Sequence, residues 1–300
     1  MKPKTFDAPA PFKESLEQRL RNVASGGANL ARRRQLVVFD RFLARVDAVL
    51  GDAVILKGGL VLELRLQRAR TTNDIDLRLV GSPKDTLALL QKAGRLDLGD
   101  FMTFEVNPDA EHPTLDNEGM VYEGRRYRTE ARLAGKIYGQ PFGVDVVFAE
   151  PIVGDLDLVT ASDILAFAGI PPPKLRLYPV ESHIAEKLHA YTMPRKRENS
   201  RVKDLPDLAL LGKVKDLEAA LIREAIQRTY SARGTHVVPS GLPDTPTSWQ
   251  AVYARMATTD GLEWATIAEV LEVARRFLDP VLSSTWEGRW SPTTWTWARR

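Results

Sequence analysis

The chain has 300 residues, of which 44% are hydrophobic and 27% charged, and it contains no cysteine. This composition is typical of a folded globular protein and excludes a disordered chain, a collagen-like chain and a coiled coil. The absence of cysteine excludes a disulfide framework, a thiolate metal site and a cysteine nucleophile. The net charge of +3 at pH 7 is too small to indicate a nucleic-acid partner by itself.

The sequence also bears on where the protein acts. Residues 1–11 are polar and proline-rich and lack the apolar core of a signal peptide. No stretch reaches the ~18 uncharged apolar residues that a membrane span requires. We therefore expect a cytoplasmic protein with no membrane partner.

Basic residues crowd three segments of the sequence, which together would suit a polyanion such as RNA if they face one side. The alternative is that each cluster is an ordinary solvated face. The clusters are Arg19, Arg21, Arg32, Arg33 and Arg34; Arg125, Arg126, Arg128 and Arg132; and Arg195, Lys196, Arg197, Arg201 and Lys203.

The first half of the chain is predicted to form a mixed α/β sheet with an antiparallel part. Helical and alternating periodicities follow one another, and Gly26-Gly27 separates two helices. Ser82-Pro83 is typical of a helix start, and Gly94 is expected to end that helix. The predicted helices cover 12–50, 60–67 and 83–92, and the predicted strands cover 53–56, 74–79, 101–106, 122–133 and 142–148.

After residue 160 the strand pattern nearly disappears, so the second half is expected to be helical. Pro171-Pro172-Pro173 marks a hinge or a domain edge. We therefore predict an α/β domain over 1–170, including the N-terminal helices, and a mainly helical domain over 171–300. The helices predicted after residue 160 cover 160–167, 181–192, 204–211, 217–230 and 262–278, with a loop over 234–248.

The most informative motif lies in residues 54–79. A buried strand leads into Lys57-Gly58-Gly59, and a glycine pair before a helix lets backbone N–H groups approach an anion. Asp74 and Asp76 are two residues apart on a strand, so both side chains point to one face. Two carboxylates so placed can hold a hard cation such as Mg²⁺, which also binds phosphates. Taken alone, each feature is more often an ordinary turn or strand end.

A third carboxylate, Asp145, stands alone among the apolar residues of 142–148. A buried unpaired carboxylate is costly, so Asp145 must be paired, bound to metal or exposed. If its strand neighbours that of Asp74 and Asp76, the three carboxylates converge on one or two ions.

In order and spacing, Leu56-Lys57-Gly58-Gly59, the helix after it and Thr72-Asn73-Asp74-Ile75-Asp76 resemble the nucleotidyltransferase superfamily related to DNA polymerase β. Residues 181–190 and 201–208 resemble two further motifs of one branch, the AbiEii/AbiGii toxin family, which includes MenT-like toxins. The resemblance implies a polymerase-β-like mixed sheet with N-terminal helices and a C-terminal helical domain that completes the active site.

The resemblance also implies roles for individual residues. An acid at Asp204, with Asp207 second, would orient Lys187 or act as a general base. From the residues alone, Lys187 is more simply a solvated lysine and Asp204 a helix cap. The implied catalytic residues are Asp74, Asp76, Lys187 and Asp204; the implied metal ligands are Asp74, Asp76 and Asp145; and the implied nucleotide-binding residues are Lys57, Gly58, Gly59, Thr72, Lys187 and Asp207.

The function that the resemblance implies is that of a toxin with a cognate antitoxin. It would use Mg²⁺ or Mn²⁺ to transfer NMP from an NTP to an RNA acceptor. In characterised relatives this acceptor is the tRNA 3′ end, and the modification blocks translation. Two alternatives stay open, namely nucleotidylation of a protein hydroxyl and a catalytically inactive module that binds RNA or a partner.

Two other groups of residues are expected to be structural. His183 and His189 do not have metal-ligand spacing on one helix face, so we expect them to be structural or to make a surface contact. The tryptophans at 286, 290, 295 and 297 are expected to pack onto the body of the protein. The alternatives for these tryptophans are base stacking and an antitoxin interface.

Overall fold

The computed structural model describes residues 3–66, 72–81, 83–115, 124–148, 151–195, 201–283 and 287–299. The helices are α1 (Pro9–Val23), α2 (Gly27–Leu50), α3 (Gly59–Leu66), α4 (Thr86–Arg95), α5 (Val180–Thr192), α6 (Asp204–Leu211), α7 (Ala219–Arg233), α8 (Trp249–Asp260) and α9 (Ile267–Ser283). The strands are β1 (Val54–Lys57), β2 (Asp74–Leu79), β3 (Met102–Pro108), β4 (Gly124–Leu133), β5 (Lys136–Ile137), β6 (Phe142–Phe148), β7 (Asp157–Thr160), β8 (Lys174–Leu177), β9 (Leu217–Glu218), β10 (Gly288–Ser291) and β11 (Thr296–Arg299).

The main sheet is mixed, as predicted, with the strand order β3-β4-β6-β2-β1-β8-β7 and with β5 paired to β4. β2 runs parallel to β6, and β1 runs parallel to β8. The remaining pairs in this sheet are antiparallel. β2, which carries the two predicted metal-binding aspartates, therefore lies near the middle of the sheet between β1 and β6.

The predicted end of α4 at Gly94 is wrong, because the helix continues to Arg95. A Cβ atom at Gly94 would lie 2.4 Å from the carbonyl oxygen of Phe104 on β3. The glycine therefore allows α4 to pack directly on the sheet, a role that a local pattern does not reveal. Ser82, the predicted helix cap, lies outside the described residues.

The predicted helix over 160–167 is also wrong. Thr160 ends β7, and only a short 3₁₀ turn at Ala166–Ala168 follows. β7 pairs with β8, which the periodicity did not predict. Each of these strands has four residues, too few to establish an alternating pattern. The short strands β9, β10 and β11 were not predicted for the same reason. The helix α8 was also not predicted.

The buried apolar side chains form two clusters. The first contains residues of the main sheet together with those of α1, α2 and α4. The second contains residues of α5 to α9 and Trp290 of β10. α3 contributes to both clusters, through Leu60 and Val61 to the first and Leu62 to the second. The division into domains at residue 170 stays a prediction.

A buried ionic network joins α2 to the start of β3. Asp100 accepts a hydrogen bond from Arg41 Nε at 2.7 Å and two from Arg45 at 2.8 and 2.5 Å. All three side chains are at most 2% exposed. Since a buried charge without its partner is strongly unfavourable, this network determines how α2 lies on the sheet.

None of the described helices is long and apolar enough to cross a membrane.

Asp40, next to this network, is expected to make stability depend on pH. Burial, together with the nearby charge of Asp100 and against the attraction of Arg41, raises the pKa of Asp40 from 3.8 to about 6. The unfolded chain releases this proton more readily than the folded one, so stability falls as pH rises from about 4 to about 6. Asp40→Asn should therefore raise the free energy of unfolding by about 1–3 kcal/mol at pH 8.

The measurement is the thermal unfolding midpoint of both proteins between pH 4 and pH 8. Their difference should be small at pH 4 and reach its full value above pH 6. Asp7→Asn, a substitution of an exposed aspartate, is the control for the change in charge. A constant difference across this range would contradict the prediction.

Candidate active site

Strand register places four charged side chains in one row across the sheet. Lys57 of β1 lies opposite Asp76 of β2, and Asp76 lies opposite Asp145 of β6. Asp145 in turn lies opposite Arg126 of β4. Because directly opposite residues of neighbouring strands share a face, the row reads positive, negative, negative, positive. The strand of Asp145 therefore neighbours that of Asp74 and Asp76, which is the condition that the sequence left open, and Asp145 as a metal ligand stays a prediction.

The turn between β1 and α3 requires glycine at residue 58. Gly58 has a φ of +72°, and a Cβ atom there would lie 1.8 Å from Asp76 Oδ2. α3 begins at the next residue, Gly59. The N–H groups of its first turn have no acceptor within the helix, and both glycines line the same cavity as Asp76. The turn therefore brings an anion-binding helix end close to a carboxylate.

Asp74 and Asp76 lie on the same face of β2 but differ in environment. Asp74 is exposed, and its Oδ1 accepts a hydrogen bond from the Gly143 N–H at 3.2 Å. Asp76 is half-buried, and burial together with the charge of Asp145 raises its pKa to about 6, against the opposing effect of Lys57 and Lys187. Both carboxylates face the cavity, as the D-x-D spacing predicted.

Thr72 connects the start of β2 to α2. Its hydroxyl donates a hydrogen bond to the Asp74 carbonyl at 3.4 Å, and its own carbonyl accepts one from Arg32 Nη1 at 2.8 Å. Arg32 also pairs with Glu63 on α3. Thr72 lines the cavity, so its predicted place beside the nucleotide is compatible with its position.

Lys187 on α5 is held by two buried aspartates of α6. Its Nζ lies 3.0 Å from Asp204 Oδ1 and 2.7 Å from Asp207 Oδ2, and both carboxylates are fully buried. Arg201 Nε also donates to Asp204, at 2.5 Å. Burial opposes ionisation of Asp204, but Lys187 and Arg201 outweigh it and hold its pKa below the ordinary value. A buried, ionised and doubly paired acid suits the orienting role better than that of a general base.

One cavity of about 310 Å³ joins these elements. Asp204 and Asp207 do not line it but lie behind Lys187, which does. The predicted site residues that line the cavity are Lys57, Gly58, Gly59, Thr72, Asp74, Asp76, Asp145 and Lys187. It is also lined by five arginine and lysine side chains, Arg126, Arg195, Arg201, Lys203 and Arg233.

The three basic clusters of the sequence therefore do not all meet at this site. The second contributes Arg126 and the third contributes Arg195, Arg201 and Lys203, whereas Lys196 and Arg197 lie outside the described residues. In the first cluster, Arg34 forms a bidentate pair with Glu17 of α1, away from the cavity.

The donor set at β2 fits a divalent cation whose remaining coordination positions are filled by waters or by the phosphates of a nucleotide. Within the described ranges, no three His, Asp or Glu side chains are placed to form a complete metal site by themselves. Mg²⁺, however, is commonly bound through one or two carboxylates, with phosphate oxygens and waters completing its coordination. Asp74 and Asp76 can supply those two carboxylates.

Polar residues that the sequence did not assign to the site also line the cavity, among them Glu186, Arg126, His183 and His189. Glu186 accepts a hydrogen bond from Lys57 Nζ at 2.9 Å, although the two are 129 residues apart. Arg126 binds Asp145 through Nε and Nη2, at 2.7 and 2.6 Å, and this bond raises the pKa of Arg126 above its ordinary value. His183, expected to be structural or a surface contact, lines the cavity while 1% exposed, and burial lowers its pKa to about 3. These contacts join residues on different strands and helices, so they become visible only in the folded structure.

The C-terminal tryptophans pack onto the helical cluster, as predicted. Trp290 is fully buried, and its Nε1 donates a hydrogen bond to the Gly212 carbonyl at 2.7 Å. Trp297 Nε1 donates to the Phe277 carbonyl at 2.8 Å. Trp295 is packed against the same cluster, and Trp286 lies outside the described residues.

Comparison with known families decides how this arrangement is classified. The profile of the nucleotidyl transferase AbiEii toxin family, of type IV toxin–antitoxin systems, matches residues 41–287. The chain belongs to this family. It is therefore a nucleotidyltransferase toxin, as the motifs around Lys57, Asp74, Lys187 and Asp204 predicted, and its family implies an NTP substrate and an antitoxin partner. A search of curated protein sequences found no match.

Three solved structures are similar to this chain, and the first of them shares its fold. MenT4, a nucleotidyltransferase toxin from Mycobacterium tuberculosis H37Rv, is 16% identical, with a TM-score of 0.50 over 71% of this chain and 68% of the other. A nucleotidyltransferase-like protein from H. pylori is 14% identical, with a TM-score of 0.43 over 82% and 92%. JHP933 from Helicobacter pylori is 12% identical, with a TM-score of 0.41 over 83% and 93%.

A side chain at residue 58 should lower the nucleotide-transfer activity of this protein. In Gly58→Ala the new methyl group collides with Asp76 Oδ2 and displaces it, so nucleotide transfer should fall roughly 10²-fold. Gly99→Ala is the matched control, since Gly99 has the same φ of +72° but open space around its Cβ position. It should lose only about 1 kcal/mol of stability and keep its activity. Equal effects of the two substitutions on activity would contradict the argument.

Lys187 should be required for stability as well as activity. Lys187→Met leaves Asp204 and Asp207 buried without this cation and should lower the free energy of unfolding by about 3–5 kcal/mol. Adding Asp207→Asn removes one uncompensated charge and should recover part of that stability but no nucleotide transfer. Denaturant unfolding and transfer assays of both variants test this. A Lys187→Met protein as stable as the wild type would refute it.

Proposed function

We propose that this toxin transfers a nucleoside monophosphate from an NTP to RNA, at the tRNA 3′ end, and thereby blocks translation in the cytoplasm. The observation that carries the proposal is the single cavity that joins the Gly58-Gly59 turn, the carboxylates of Asp74 and Asp76 and the ammonium of Lys187. A helix end, paired carboxylates and a cation are together what an NTP site requires.

Each part of the cavity has a task in binding the triphosphate. The N–H groups at the start of α3 donate hydrogen bonds to the phosphate oxygens. Lys187 supplies a point charge whose position is set by Asp204 and Asp207. Asp74 and Asp76 hold Mg²⁺, or Mn²⁺, which when bound neutralises charge on the α-phosphate and on the leaving pyrophosphate.

In the transfer step an acceptor hydroxyl oxygen forms a bond to the α-phosphorus. The bond from this phosphorus to the oxygen that bridges it to the β-phosphate breaks, and pyrophosphate leaves with that electron pair. The hydroxyl proton passes to solvent in the cavity. Lys187 and Arg126, which both line the cavity, stabilise the charge that develops on the phosphoryl oxygens.

The positive charge at the rim of the cavity favours a polyanionic acceptor. Arg195 follows α5, Arg201 and Lys203 precede α6, and Arg233 ends α7, so three separate elements direct positive side chains to one opening. Contacts with phosphates supply much of the affinity of RNA-binding proteins. This clustering favours RNA over a protein hydroxyl, and the tRNA 3′ end follows from the family resemblance.

The test is a transfer assay with Mg²⁺, each α-labelled NTP in turn, and either total RNA or cell lysate. We expect label in small RNA, no label after chelation of the metal, and no label with the Asp74→Asn, Asp76→Asn variant. The matched control is Asp7→Asn, Asp163→Asn, which changes two exposed aspartates outside the cavity and should be fully active.

The acceptor that takes the label decides between the functions. Label in a protein band would replace RNA transfer by protein nucleotidylation. Absence of label with every NTP and acceptor, in protein that is folded and binds RNA, would leave a binding module. Label that persists in the Asp74→Asn, Asp76→Asn variant would show that these carboxylates are not the metal site.

A further inference from the structure

Asp145 is already fully engaged by a cation of the protein itself. Arg126 Nε lies 2.7 Å from Asp145 Oδ1, and Arg126 Nη2 lies 2.6 Å from Asp145 Oδ2. This bidentate geometry, in which both carboxylate oxygens accept short charge-assisted hydrogen bonds, is the strongest form of such a pair. The register places the two residues directly opposite each other on β4 and β6, so the pairing is built into the sheet.

The position of this pair beside Asp76 explains why a cation is needed there. Asp76 and Asp145 lie directly opposite each other on neighbouring strands, an arrangement in which like charges repel. Lys57 faces Asp76 from the other side. Arg126 therefore supplies on the Asp145 side the positive charge that a metal ion would otherwise supply.

We infer that Arg126 takes the place of a second metal ion at Asp145, so that the site binds one divalent cation, through Asp74 and Asp76. This inference rests on the proposed function, since it concerns the metal of that same site. It replaces the expectation that Asp145 is a third metal ligand.

A metal ion would compete poorly with the Arg126 guanidinium for Asp145. To bind Asp145, the ion would have to share both carboxylate oxygens with the Arg126 fork, next to a guanidinium that repels a divalent charge. The Asp145 side chain is only 14% exposed, so solvent compensates little for a weakened pair. Asp74, by contrast, is exposed, and its Oδ1 accepts a hydrogen bond of 3.2 Å from the backbone N–H of Gly143.

Arg126 can serve the reaction while it stays bound to Asp145. A guanidinium has five N–H donors, of which the fork uses two. The side chain is 35% exposed and lines the cavity, so its other donors can reach a phosphoryl oxygen. Arg126 is then both the countercharge of Asp145 and a contact for the substrate.

The inference is tested by counting metal ions rather than by activity. Mn²⁺ is titrated into the full chain without nucleotide, and the free ion is followed by its electron paramagnetic resonance signal. We expect one bound Mn²⁺ in the wild type and two in Arg126→Gln, in which Asp145 is released. Arg128→Gln is the matched control, because Arg128 is an exposed arginine two residues along the same strand, opposite Gly143. It should bind one ion.

Other counts would overturn the inference in distinguishable ways. Two ions in the wild type would show that Asp145 is a ligand, while the proposed metal-dependent function would stand. One ion in both wild type and Arg126→Gln would show that Arg126 does not exclude a second. No bound ion in the wild type would overturn both the inference and the proposed metal site.

A second variant covers the case in which Arg126→Gln does not fold. Arg126→Lys keeps the positive charge but cannot bridge both oxygens of Asp145. It should admit a second Mn²⁺ at an ion concentration at which the wild type still binds one. An Arg126→Lys protein whose titration is identical to that of the wild type would contradict the inference.

Discussion

Two carboxylates, Asp76 and Asp145, are held side by side on parallel neighbouring strands, and the surrounding structure has to neutralise both. Arg126 does so at one end of the row and Lys57 at the other. Lys57 in turn pairs with Glu186 of α5. Pairs of opposite charge thus connect the sheet to the helical part of the molecule, and this electrostatic requirement ties the two together at the cavity.

Pairing of opposite charges also fixes the next residue of α5, Lys187. Lys187 follows Glu186 directly, and it is bound by two fully buried carboxylates of α6. A lysine side chain is flexible and would otherwise sample many rotamers, at a cost in entropy when a substrate is bound. Fixing it in advance between Asp204 and Asp207 means that the folded protein, and not the nucleotide, supplies this order.

A structural feature could be predicted from the sequence when the residues that form it lie close together along the chain. The D-x-D strand, the Gly58 turn and the helix α5 follow from local spacing, so the central strands and the aspartates and glycines of the cavity were predictable. Arg126, Glu186 and the buried position of Asp204 were not, because each depends on a partner brought close by strand register or helix packing. The short strands β7 and β8 were missed for a related reason, since four residues carry too little periodicity to identify a strand.

The packing of Trp290 has a consequence for how the protein is made. Its indole donates to the Gly212 carbonyl, directly after the last residue of α6, and it stacks at an angle on Phe277 of α9. α6 also carries the two aspartates that orient Lys187. While the ribosome is still synthesising residues before 288, the sheet can form but α6 lacks this contact at its C-terminal end. A product truncated before β10 would carry every predicted motif but lack the contact of Trp290 with the end of α6.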